Sequence, residues 1–378
     1  MLGMSWLTDP AKLRIYGLPF AVALIVTLVA TPIVRRVAIK LDLYDRPDSG
    51  LKPHERPIPY LGGIAIYVGW LAALAWMLPV ASGRHAHLGW VALCGTILML
   101  TGLIDDIRHL PPRTRLFVQV LVAFLLVYGG VGATVVPSLL DHYPMPLWLY
   151  HGPVCQIACW AFCAFVLAGA SNSTNLIDGL DGLCAGVMAI ASLGALAISV
   201  RISMTTVSAD EMGALRTALC LGLFGACLAF LFYNFNPASI FMGDSGSLLL
   251  GFNMALLLIL LAQQPDWKWL AAGIMVFGFP IFDTALAITR RKINGRPLFV
   301  GDRSHFYDQL RDRGWSVRRT VLICYAIGIA LAVLGVFLVT LPSGYAITVC
   351  VLLPLLAMLA CWRAGMLRVD DAAKRSDD

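Results

Sequence analysis

The sequence predicts an all-α, polytopic membrane protein of about ten or eleven transmembrane helices. Three observations carry that expectation. Apolar residues make up 59% of the 378 and charged residues only 13%, with a mean hydropathy of +0.79. A soluble domain has about 25% charged residues. The apolar residues fall in long runs, and a membrane crossing needs ~20 of them in a row. Basic residues collect in alternate connections between those runs, the asymmetry that orients membrane proteins.

The runs have approximate cores at 18–34, 61–80, 88–104, 116–131, 154–170, 183–200, 214–233, 246–262, 269–289, 320–340 and 345–362. The first ends at Pro32 with Arg35 and Arg36 behind it, so it is expected to be a retained span and not a cleaved leader. The longest connection runs from Arg290 to Arg319. No soluble domain fits between the runs. Residues 1–378 are read as one integral membrane domain ending in a tail, 363–378. The ten cysteines lie mostly inside apolar runs, and Cys155, Cys159 and Cys163 form an i, i+4 stripe. That spacing suits small core residues better than a disulfide framework or a zinc site.

The first connection carries Arg35, Arg36, Lys40, Arg46, Lys52 and Arg56, the third Arg108, Arg113 and Arg115, and the ninth nine basic residues from Arg290 to Arg319. The even connections hold only Arg84, Arg201 and Lys268. Odd connections are therefore expected in the cytoplasm, with the N-terminus outside and the tail inside. Every polar motif of the chain then falls on that one side. Asp105-Asp106 is in connection three, Asn175 to Asp181 in connection five, Asn234 to Asp244 in connection seven and His305 in connection nine.

Asn234 to Ser247 organises the set, because it puts amides, glycines and one carboxylate between two long apolar runs. Asp105, Asp106, Asp178, Asp181 and Asp244 all lie at a membrane edge. Ionisable groups there are costly unless paired or functional. Converging carboxylates repel one another unless a cation lies between them. Oxygen donors without a Cys or His cluster suit Mg²⁺ or Mn²⁺. The arginines of connection nine complement phosphate. Together these features point to phosphoryl transfer at the membrane surface. Plainer readings stand beside some of them. Arg290-Arg291-Lys292 reads as a topology determinant, and Phe241 as a packing residue. His305 alone would be structural, but its setting beside Asp302 and Arg303 brings it among the candidates.

At these residues the sequence resembles the polyprenyl-phosphate N-acetylhexosamine-1-phosphate transferase family. The matching pieces are Lys52-Pro-His54 with Pro59 to Gly63, Gly102 to Asp106, Asn175 to Asp181, Tyr233 to Ser247, and Asp302-Arg303-Ser-His305. The resemblance implies Mg²⁺-dependent transfer of a sugar 1-phosphate from a UDP-sugar to a polyprenyl phosphate. UMP leaves, and the lipid-linked sugar feeds cell-envelope glycan synthesis, cell wall or lipopolysaccharide. It implies an inner-membrane enzyme working at the cytoplasmic face. By residue matching, Asp105 and Asp106 lie near the lipid phosphate, with Asp105 the candidate for activating it. Asp244 is the metal ligand, with Asp178 beside it. Asn175, Asp178 and Asp181 form the nucleoside and metal-side loop. Asn234 belongs to the nucleotide-sugar region and Phe241 stacks on uracil. Lys52 lies near the nucleotide, and Arg303 and His305 recognise diphosphate and sugar. The expected partners are the two substrates, the membrane and a second copy in a homodimer, with no nucleic acid.

The chain departs from the family pattern in two places. The family's histidine cluster reads His305-Phe306-Tyr307-Asp308 here, and the acidic pair continues as Ile107-Arg108-His109, without a lysine three residues after Asp106. These departures point to the branch that uses UDP-N-acetylglucosamine, with the same reaction on another UDP-N-acetylhexosamine or on UDP-N-acetylmuramoyl-pentapeptide as the alternative. They also make Tyr307 and Asp308 candidates for setting sugar preference. The alternative from another class is a secondary transporter, which also has broken helices and intramembrane acids. Transporter sites lie at the midplane between repeats. No inverted repeat is evident here.

Overall fold

A computed structural model describes residues 17–46, 56–78, 85–140, 152–205, 212–295 and 305–367. Lys52, Arg303 and all but the first residues of the tail lie outside them. Among the described residues the chain begins with α1 (Leu18–Lys40) and a pair of two-residue strands, β1 (Tyr44–Asp45) and β2 (Ile58–Pro59). It continues through α2 (Gly62–Met77), α3 (His85–Arg108), α4 (Pro112–Tyr128), α5 (Val135–Leu140), α6 (Pro153–Leu176) and α7 (Leu183–Thr205). Then come α8 (Gly213–Asn234), α9 (Gly243–Ala262), α10 (Trp267–Val276), α11 (Gly278–Ile293), α12 (Phe306–Asp312), α13 (Val317–Leu338) and α14 (Ser343–Arg363). The strands pair antiparallel, Tyr44 opposite Pro59 and Asp45 opposite Ile58.

Each of the eleven apolar runs is helical over its described residues, but not every one is a single long rod. Among the described residues eight helices are long and apolar enough to cross a bilayer: α1, α3, α6, α7, α8, α9, α13 and α14. α10 and α11 would make a ninth, bent by 75° at their junction. The run read as one span at 269–289 is thus broken. Pro280 lies in the first turn of α11. It lacks the N–H that would bond to Val276 and continue the helix. The other two runs are short. Among the described residues α2 has 16 residues and α4 has 17, or ~24 to 26 Å at 1.5 Å per residue, at the short end of what crosses a bilayer.

The core forms around α9. Its residues from Ser245 to Ala262 are all buried, as expected of a helix that is apolar on every side. It packs against α2, α3, α6 and α10. Small residues allow the close approaches. A methyl on Gly251 would lie 2.5 Å from Ser171 Cα of α6, and one on Gly63 of α2 would lie 2.1 Å from Gly246 N. Gly102 matters most for the site, because a methyl there would lie 2.3 Å from the backbone oxygen of Asp244. The C-terminal end of α3 therefore rests on the first turn of α9. On the periphery α14 is only 11% buried, and Tyr345, Leu355 and Leu356 are exposed. An apolar surface of that extent belongs against lipid.

Nine of the ten cysteines are buried and none is in a disulfide. Cys159 Sγ donates to the carbonyl of Ala133, so the stripe on α6 packs as core.

Candidate active site

Four segments meet at one end of the bundle: the last turns of α3, α6 and α8, and the first turn of α9. They enclose a cavity of about 660 Å³ lined by Asp105, Asp106, Asn175, Asp178, Asp181, Asn234, Phe241 and Asp244. Small-molecule pockets occupy roughly 300–1,000 Å³.

α3 delivers the acidic pair, and the two carboxylates do different work. Asp106 accepts from the backbone N–H groups of Asp244 (2.7 Å) and Ser245 (3.1 Å). A helix leaves its first N–H groups unsatisfied and carries partial positive charge there. Asp106 supplies both acceptor and charge from another helix. Gly243 makes this possible. Its φ is +70°, and a methyl on it would lie 2.6 Å from Asp106 Oδ2. Asp105 is 4% exposed. Its Oδ1 accepts from Leu110 N at 2.6 Å, closing the turn after α3, and its Oδ2 pairs with Arg115 Nη1 at 3.0 Å.

Arg115 stands in the first turn of α4, and the same nitrogen lies 3.7 Å from Asp244 Oδ2. Asn175 holds the other oxygen of Asp244 through Nδ2 at 2.6 Å and also reaches Ser247 Oγ at 2.9 Å. Asp244 is therefore fixed from both sides while its side chain stays one-third exposed.

The loop between α6 and α7 carries Asp178 and Asp181. Asp181 Oδ2 accepts from Asn236 Nδ2 and Ala238 N, both at 2.9 Å, and so braces the connection after α8. Asp178 faces the cavity but is otherwise enclosed by protein. Burial, followed by the negative charges of Asp244, Asp106 and Asp181, pushes its carboxyl well above the usual carboxylate range. Burial and the charges of Asp106 and Asp45 also raise the phenol of Tyr60.

The structure brings together Asp105, Asp106, Asn175, Asp178, Asp181, Asn234, Phe241 and Asp244. Asn234 is spent on the fold. It is 3% exposed, its Oδ1 accepts from Gly182 N, and its Nδ2 donates to Ile240 O. Phe241 is pinned by its backbone, donating to Pro59 O and accepting from Gly62 N, both at 2.9 Å. His305 is elsewhere. It is 5% exposed, its Nδ1 lies 2.7 Å from Asp283 Oδ2, and it does not line the cavity. Tyr307 does not line it either, and Asp308 accepts from His305 N to cap α12.

Sequence reasoning missed Arg115, which was counted only towards topology, and the cavity residues Tyr44, Asp45, Arg46, Tyr60 and His109. It also missed Asp283. A basic residue immediately before an apolar run, in the first turn of its helix, was the signal for Arg115. For Asp283 the signal was a carboxylate inside one.

The donor chemistry fits a hard divalent cation. The oxygens at the cavity come from carboxylates and amides, and Asp178, raised first by burial, is raised further by the negative charges of Asp244, Asp106 and Asp181 around it. Among the described residues no three His, Cys, Asp or Glu side chains form a ready-made cage. Mg²⁺ does not require one, because it keeps waters and commonly shares one or two carboxylates with substrate phosphates.

The sequence profile of the family described as glycosyl transferase family 4 matches residues 88–262, which include the acidic pair, the Asn175–Asp181 loop and Asp244. A probable undecaprenyl-phosphate N-acetylglucosaminyl 1-phosphate transferase of Bacillus subtilis is 34% identical over 87% of this chain and 86% of its own length. The decaprenyl-phosphate N-acetylglucosaminephosphotransferase of Mycobacterium tuberculosis is 32% identical over 86% of this chain and 83% of its own. A phospho-N-acetylmuramoyl-pentapeptide-transferase of Bacillus anthracis is 29% identical over 85% of this chain and 96% of its own. Likeness of this extent reaches across both halves of the bundle and all the described motifs, and the chain belongs to the polyprenyl-phosphate sugar-1-phosphate transferases of glycosyl transferase family 4.

Proposed function

We propose that this chain transfers N-acetylglucosamine 1-phosphate from UDP-N-acetylglucosamine to a polyprenyl phosphate, releasing UMP. The product would be a lipid-linked sugar for cell-envelope glycan synthesis. One observation carries the reading: Asp105, Asp106, Asp178 and Asp244 converge with Arg115 on a single cavity at one end of the bundle. Two anionic substrates must be brought together there, so the protein's task is positioning and charge compensation.

Arg115 is suited to receive the acceptor phosphate, because its guanidinium is partly exposed beside Asp105 and offers several donors. A phosphate monoester has a second pKa of about 6 and is mostly deprotonated at neutral pH. Asp105 then need not be a strong base, and its pairing with Arg115 orients the acceptor. Phe241 offers its ring to the uracil. Lys52 and Arg303 are assigned to the donor's phosphates. Asp244 and Asp178 would hold Mg²⁺ or Mn²⁺, whose charge supports the meeting of two anions and the transition state. The basic residues that flank this end, among them Arg35, Arg36, Arg108 and Arg113, support a cytoplasmic orientation for it, since such residues concentrate on that side of a membrane.

The relative that uses a muramoyl-pentapeptide supports a second donor, UDP-N-acetylmuramoyl-pentapeptide. His109, Tyr307 and Asp308 depart from that branch. Purified protein with polyprenyl phosphate and Mg²⁺ decides the matter, with UMP release measured for each UDP-sugar. Release from UDP-N-acetylglucosamine is expected. Release only from the pentapeptide donor would overturn the sugar assignment, and release from neither would overturn the proposed reaction.

A further inference from the structure

We propose that Tyr307 is a positioning residue for Asp178, docking the Asn175–Asp181 loop from outside the cavity while the buried Asp283–His305 pair holds its ring. The inference rests on the proposed reading of the cavity and adds a residue to it. Tyr307 Oη donates to the carbonyl of Leu176 at 2.9 Å. The same phenol presses on Gly179, where a methyl would lie 2.2 Å from Oη and 2.8 Å from Cζ. The phenol thus touches the chain two residues before Asp178 and one residue after it. Few contacts could set that carboxyl's position more directly without touching substrate.

The ring is itself held. It stacks on the His305 imidazole with centroids 5.6 Å apart and planes 8° from parallel. His305 Nδ1 meets Asp283 Oδ2 at 2.7 Å, and Phe306 N donates to Asp283 Oδ1 at 2.7 Å. Asp283 is 1% exposed and Tyr307 4%. The pairing joins α11 to α12, and α12 to the site loop. At position 307 a histidine, as in the family pattern, is shorter than tyrosine and would not reach Leu176 O from the same backbone. Tyrosine at this position therefore lets α12 prop the loop from behind.

Tyr307→Phe removes the hydroxyl and keeps the ring. Three readouts are compared with wild type: UMP release, the Mg²⁺ concentration for half-maximal rate, and hydrogen exchange over residues 176–181. Turnover should fall about tenfold, the scale of one lost hydrogen bond to a positioned group. Half-saturation by Mg²⁺ should move to higher concentration, and exchange over 176–181 should quicken. Gly179→Ala attacks the same contact from the loop side. If both act through it, the double variant should lose little more than either single variant, since coupled sites are not additive. Losses that multiply, or unchanged exchange in Tyr307→Phe, would overturn the proposal. Should Tyr307→Phe not fold, Gly179→Ala alone must show the quickened exchange. Hydrogen exchange needs no turnover, so wild-type protein that releases no UMP refutes the proposed reaction and leaves the docking to be judged on exchange.

Discussion

Gly102→Ala adds one methyl to a residue that does not line the cavity, yet it should cut turnover about a hundredfold. The new carbon would sit 2.3 Å from the backbone oxygen of Asp244, 2.5 Å from its carbonyl carbon and 2.5 Å from Ser245 N. None of these is the end of a flexible side chain. Reaching ordinary contact at 3.4 Å requires the first turn of α9 to move away from α3 by about 1.1 Å, the difference between 3.4 and 2.3. Overpacking of this kind typically costs about 1–3 kcal/mol. The movement also stretches the bonds from Asp244 N and Ser245 N to Asp106, now 2.7 and 3.1 Å, and carries Asp244 out of place. A misplacement of ~1 Å can cost about 10²-fold in rate. Gly89→Ala in the same helix is the control, because nothing lies within 4 Å of the added carbon. UMP release and thermal unfolding would be measured for both in detergent. Gly102→Ala should lose about a hundredfold in turnover with a modest drop in unfolding temperature. If it kept the activity of Gly89→Ala, the argument that the α3–α9 contact sets the site would be wrong.

Asp244→Asn keeps the shape but removes a ligand charge. Turnover should largely disappear and Mg²⁺ dependence should weaken, and near-normal rates at low Mg²⁺ would remove Asp244 from the metal. Phe241→Ala should weaken UDP-sugar binding by about 1–3 kcal/mol, a typical stacking loss; calorimetry of donor binding checks it, and unchanged affinity in a folded variant rules the ring out. The raised Asp178 carboxyl gives a pH signature. Its folded pKa lies above the unfolded value of about 3.9. Protein without divalent cation should therefore lose stability as pH rises from there through the raised value. Mg²⁺ should restore it, and Asp178→Asn should flatten the profile. Thermal unfolding at a series of pH values reads this, and an unchanged profile in the variant would assign the dependence to another group.

The sequence by itself determined what is local or periodic. Runs of about twenty apolar residues marked eleven helical segments, because lipid accepts backbone only when its hydrogen bonds are made within the segment. Acids at the edges of those runs were legible as site residues because burying charge without purpose is costly. Only the tertiary structure decided which groups meet. Asp106 and Asp244 are 138 residues apart, and Asn175 and Asp244 are 69. Nothing in either stretch states that one caps the other's helix. Asn234 and Asp181 looked available for ligand and are committed to backbone. Arg115 looked like a topology signal and stands between two carboxylates. His305 looked like a sugar ligand and pairs with a carboxylate buried in α11. The physical reason is common to all four. A side chain's chemistry is a property of the residue, but its partner is chosen by which helix ends the packing brings together, and at Asp106 and Asp244 the close approach is set by Gly102 and Gly243.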